Sequence, residues 1–99
     1  MKFARVIGTV VATQKDAKMA DRKLLLIQPV DINFQPSESP MVAVDSVGAG
    51  EGELVLLVSG SSARQTDLTQ NRPCDLAIMA IVDIVEKMGK VIYKKGVND

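Results

Sequence analysis

Apolar positions come in short blocks divided by glycine, proline and polar turns. Residues 3–13 (FARVIGTVVAT) are rich in β-branched side chains and hold Gly8 at their centre, where a helix is weakened and a strand bends or bulges. Residues 23–33 (KLLLIQPVDIN) read as a second strand, with Pro29 at an edge or bulge because it cannot donate to a ladder. Residues 41–47 (MVAVDSV) and 54–59 (LVLLVS) give a third and a fourth. Residues 76–86 (LAIMAIVDIVE) fit helix or strand by period, and their Ile and Val content selects one long fifth strand. A short sixth strand returns through Met88-Gly89. Residues 14–22, 34–40 and 67–75 read as loops, and Ser61 or Ser62 can cap a single helical turn.

This order of strands, without a βαβ rhythm, predicts a mainly all-β fold. It is a small five-stranded barrel of the oligonucleotide-binding (OB-like) type, with one short helical turn and an extra C-terminal strand, in a single domain over residues 1–99. In a small barrel alternate residues face outward and should be polar when the protein stands alone. Here LLLI, LVLLV and AIMAIV are apolar on both parities. Either loops fold back over the wall or a second copy covers it, and the size of the patch favours an obligate homo-oligomer.

Composition narrows the chemistry. Twelve basic and twelve acidic residues cancel, so no net field draws the chain to nucleic acid or to an anionic membrane. Histidine is absent, which removes the commonest general base and metal ligand, so no enzyme activity, cofactor or metal is expected. The single Cys74 has no disulfide or zinc partner and reads as a small buried hydrophobe in an intracellular protein. The opening run lacks a cleavage-site pattern, so no leader is expected, and no apolar run reaches membrane-spanning length.

Two turns hold the candidate chemistry. Gly48, Gly50 and Gly52 form GxGxG, but Glu53 stands where a dinucleotide fingerprint has its third glycine, and an apolar strand follows where a nucleotide site opens a helix. The glycines therefore read as a tight reversal tolerant of positive φ, and valine at Gly50 is expected to reduce assembled protein if a positive-φ turn is required there. Ser59, Gly60, Ser61, Ser62, Arg64 and Gln65 (SGSSARQ) could hold an anion, but the phosphate-loop lysine and a base to activate serine are missing. A capped turn whose arginine pairs locally is the simpler reading. Asp45, Glu53, Asp75 and Asp83 lie in or beside strands, and nothing brings two of them together as a catalytic pair. Phe3, Phe34 and Tyr93 are too few to make a stacking groove, leaving an OB-type nucleic-acid module or a small-molecule or anion-binding oligomer as alternatives.

One resemblance spans nearly the whole chain. Asp45, Val47 to Gly50, Gly52, Glu53, Val55 and Gly60 to Arg64 match D-x-V-G-A-G-x-G-E-x-V-x-x-x-x-G-S-S-A-R, and Ala4 to Gly8, Val10 and Thr13 match A-R-V-x-G-x-V-x-x-T. Both motifs are similar to those of the EutN/CcmL family of bacterial microcompartment vertex proteins. The resemblance implies pentamers of small β-barrels that close the corners of cytoplasmic polyhedral shells, beside hexameric shell tiles. It implies a subunit seam or five-fold axis at Gly48, Gly50, Gly52, Glu53, Ser59, Gly60, Ser61, Ser62, Arg64 and Gln65, with Arg64 hydrogen-bonding within or across subunits. Ala80, where glycine is expected, and Cys74, where valine is common, depart from the pattern; the tail from Gly89 is its least specific part.

Overall fold

The computed structural model describes residues 1–13, 23–59 and 76–97. The expected loop at 14–22, Gly60 to Gln65 with the capped turn, and Cys74 lie outside the described residues.

Seven strands form: β1 (Lys2–Val10), β2 (Lys23–Val30), β3 (Met41–Asp45), β4 (Leu54–Ser59), β5 (Leu76–Ile81), β6 (Ile84–Lys87) and β7 (Lys90–Lys94). The first five close a barrel in the order β1-β2-β3-β5-β4, antiparallel except for a short parallel contact in which Val44 meets Ala77 and Asp45 meets Ile78. Closure leaves the barrel no free edge. Ala4 and Val6, Leu25 and Ile27, Ala43, Val55 and Leu57, and Ile78 alternate inward and form the interior. The bulge expected at Gly8 is present, with Ile7 as the extra residue between the pairs Val6–Ile27 and Gly8–Leu26. The β2–β3 ladder stops at Ile27–Met41, and beyond it Pro29 pairs with Ala4 of β1 while its carbonyl accepts the Ser37 amide at 3.0 Å. Pro29 thus lies past the end of that ladder, where its missing N–H costs no ladder bond.

The expected single strand over 76–86 is two strands. β5 ends at Ile81, and the chain turns away at Val82 and Asp83 to begin a separate β6–β7 hairpin. Apolar content could not reveal the break, because Ile84 and Val85 continue the same composition while serving a different sheet. The first three strands also stop earlier than their apolar patterns, at Val10, Val30 and Asp45.

The hairpin explains much of the two-sided hydrophobicity. On the outer wall of β1 and β4, Phe3 faces Leu56, and fully buried Leu54 lies in a second cluster with Val30, Val82 and Tyr93. Tyr93, with no exposed surface, reaches down from β7, while Phe34 comes from the turn after β2. Phe34 meets Phe3 edge-on at 5.9 Å between ring centres and Tyr93 at 5.6 Å. All three aromatics pack on the barrel, so the chain covers this wall itself. The wall of β1, β2 and β3 differs: Ile7 and Val42 are nearly half exposed, with partly buried Leu26 between Gly8 and Val42.

Candidate functional site: a glycine loop locked to the barrel

The loop from β3 to β4 is built by its own polar groups. Asp45, almost buried, accepts hydrogen bonds through Oδ1 from the amides of Val47 and Gly48, both at 3.0 Å. This Asx-type turn reverses the chain, and Gly48 completes it at φ 79°. The reversal drops the Ala49 methyl into the interior cluster, where it is fully buried. Ser46 Oγ adds a bond to the Ile78 carbonyl, tying the loop to β5.

The second half is fixed by Glu53. Its Oε1 accepts the Gly50 amide at 2.5 Å, and its Oε2 lies 2.7 Å from the Lys95 ammonium. Gly52, at φ 85°, donates its amide to the Val6 carbonyl, and Val6 in turn donates to the Glu53 carbonyl. Arg5 donates from Nη1 to the Gly52 carbonyl at 3.0 Å and places its guanidinium 5.6 Å from the centre of the Tyr93 ring.

A phosphate cradle needs amides pointing into open space. Here the amides of Val47, Gly48, Gly50 and Gly52 are already taken by Asp45, Glu53 and Val6. Among the described residues no group of three or more histidines, cysteines or carboxylates could hold a metal.

Gly48, Gly50, Gly52 and Glu53 thus come together as one loop. Ser59 does not join them: it ends β4, six residues along an extended strand or on the order of 20 Å from Glu53. It instead lines a cavity of about 380 Å³ with Met1, Lys2, Met41, Leu57, Val58 and Leu76. Gly60, Ser61, Ser62, Arg64 and Gln65 lie outside the described residues. Positive φ falls at Gly48 and Gly52, with Gly89 and Gly96 in the tail, and not at Gly50, so the condition under which valine at Gly50 is expected to be harmful is not met there. A side chain at Gly50 would instead meet Glu53 Oε1, 3.4 Å from an added Cβ. Sequence reasoning missed Arg5 and Lys95 as supports of the loop. Asp45 could have been found from its place three residues before Gly48; Lys95 had no local signal.

Comparison with known proteins agrees with this architecture. The family model described as "Ethanolamine utilisation protein EutN/carboxysome" matches residues 1–83. The chain is 46% identical over 95 residues to the bacterial microcompartment shell vertex protein EutN of Salmonella typhimurium, covering 96% of each chain. It superposes on the structure of CcmL from Nostoc sp. PCC 7120 with a TM-score of 0.90 and 46% identity, over 96% of this chain and all of that one. The GrpN pentameric microcompartment shell protein from Rhodospirillum rubrum gives a TM-score of 0.80 and 42% identity, over 89% of this chain and all of that one. The family model over residues 1–83 and relatives 46% identical over 96% of the chain show that this chain belongs to the EutN/CcmL family of microcompartment shell vertex proteins, whose role is structural and not enzymatic.

Proposed function

We propose that five copies of this chain form a ring that caps a vertex of a bacterial microcompartment shell, one vertex unit per chain over residues 1–99. The observation that carries the reading is the uncovered wall of β1, β2 and β3. Ile7, Leu26 and Val42 leave an apolar surface on a barrel that has covered its other wall with its own hairpin. A repeated contact between two different surfaces closes a ring when the rotation between copies divides the circle, as in the relative named as a pentameric shell protein.

In this reading the glycine loop and the segment from Ser59 to Gln65 line the subunit seam or the five-fold axis. Support for the first comes from its rigidity, since Asp45, Glu53 and Arg5 hold the backbone of Gly48, Gly50 and Gly52 in one shape for a neighbour to meet. Support for the second is its sequence, in which small residues crowd beside one arginine and permit close backbone approach; Arg64 would hydrogen-bond within or across subunits. Hexameric shell tiles are the expected neighbours, and the cell interior the expected place.

Native mass spectrometry of the purified chain tests this. Five chains of 10.6 kDa give a species of about 53 kDa, and a ring added to a hexagonal shell tile should co-sediment with it. A chain that stays at the monomer mass at micromolar concentration would overturn the ring. Arg64→Ala is expected to lower the fraction of assembled rings, and an equally stable ring would remove Arg64 from the seam.

A further inference from the structure

The β6–β7 hairpin carries charge that its own fold does not use. Its register sets Lys87 directly opposite Lys90 at the tip, beside Met88 and Gly89. Like charges facing each other across a strand pair are destabilising. Neither lysine has a hydrogen bond or ion pair among the described residues, and Met88 is 94% exposed. The bulge between Val85 and Glu86 keeps Val85 and Tyr93 toward the barrel and leaves Ile84 and Val91 on the opposite face, each about half exposed (53% and 54%). By strand alternation Lys87 and Lys90 lie on the face of Val85 and Tyr93, while Ile84 and Val91 share the other face with Glu86. The tip therefore presents exposed Met88 beside two cations that are unpaired among the described residues.

The complementary surface is on the barrel of the same chain. Gly52 donates to the Val6 carbonyl, so the preceding Glu51 lies beside the following Ile7. Ile7 is the exposed residue of the β1 bulge, and Glu51 is an exposed carboxylate with no hydrogen bond or ion pair among the described residues. Charge is divided the same way along the sequence. Residues 84–99 hold four lysines and two acids, whereas residues 1–83 hold eight basic and ten acidic residues. The tail thus carries a net excess of two cations and the rest of the chain a net excess of two carboxylates, a slight division of charge that suits contact between unlike parts of two copies.

We propose that the hairpin tip of one copy, through Lys87, Lys90 and Met88, docks on the Ile7–Glu51 patch of the next copy. The inference rests on the ring reading above and names one of its contacts. The two patches differ, so the contact is heterologous and repeats around the ring.

Charge reversal tests it on the full chain. Lys87→Glu with Lys90→Glu keeps the like-charge pair across the hairpin, so its effect within the subunit is small, while its sign toward Glu51 is inverted. The ring should then dissociate at a concentration roughly tenfold higher or more than the wild type. Glu51→Lys alone should act in the same direction, and Glu51→Lys added to the double reversal should recover the wild-type midpoint. A double reversal with wild-type circular dichroism and an unchanged midpoint overturns the contact. If the double reversal fails to fold, Lys87→Gln with Lys90→Gln decides in the same assay: a weakened ring supports the contact and an unchanged one overturns it. A monomeric wild type overturns the ring and this contact with it; a wild-type ring indifferent to these changes overturns the contact alone.

Discussion

The Glu53 carboxylate lies 2.7 Å from the Lys95 ammonium and with its other oxygen holds the Gly50 amide, so one side chain fastens the C-terminal hairpin to the glycine loop. The loop and the hairpin are therefore mechanically joined: loosening either end frees a partner of the other. Arg5 reinforces the join from β1, with the Gly52 carbonyl and the Tyr93 ring as its contacts.

Glu53 should show this in a pair of substitutions. Alanine leaves the Gly50 amide without its acceptor and removes the ion pair, at a cost of about 2 kcal/mol. Glutamine keeps an acceptor for Gly50 and loses only the charge, so about 1 kcal/mol is expected. Urea denaturation of the two variants checks the order. Equal stability of both with the wild type would mean that neither contact holds the loop.

The glycines separate by backbone conformation. Gly48→Ala and Gly52→Ala force a β-carbon into the left-handed region and should each cost about 1–2 kcal/mol. Gly50→Ala meets no such strain and should cost less than either, with Glu53 giving way slightly. Thermal unfolding of the three alanine variants ranks them, and Gly50→Ala as the most damaging would contradict the loop geometry.

The two kinds of glycine were indistinguishable in the sequence, since GxGxG states only that three positions lack a side chain. Strand positions were readable because alternation and β-branching are local properties. Leu25, Ile27, Val55 and Leu57 were recognisable as strand residues, and Gly8 as a bulge, for that reason. The hairpin was not readable as a separate layer: its anchor Tyr93 meets Phe34 and Leu54 across long stretches of chain, and no local pattern encodes such a contact. The family motif carried the functional reading, while the support given by Lys95 and Arg5 became visible only in three dimensions.

Tyr93 is the anchor of the covered wall. Tyr93→Ala removes a fully buried ring from the cluster of Val30, Leu54 and Val82 and should cost about 3–5 kcal/mol. Hydrogen exchange should then quicken in Ile84–Lys87 and Lys90–Lys94 more than in the barrel strands β2 and β3. Uniform acceleration across all strands would mean that the hairpin and barrel unfold as one unit.

The uncovered wall yields the last expectation. Val42 lies on the outer face of β3 beside Leu26, so Val42→Lys removes no interior contact and places a charge on a surface that is already 47% exposed in the isolated subunit. A lone subunit should tolerate it within about 0.5 kcal/mol. A ring that buries this wall should not, because an unpaired ammonium would lose its water against apolar side chains. Sedimentation velocity alongside circular dichroism separates the cases. Folded monomers from Val42→Lys would assign the β1–β2–β3 wall to the subunit contact. Intact rings would leave that wall facing solvent and shift the weight of assembly to the glycine loop and the Ser59–Gln65 segment.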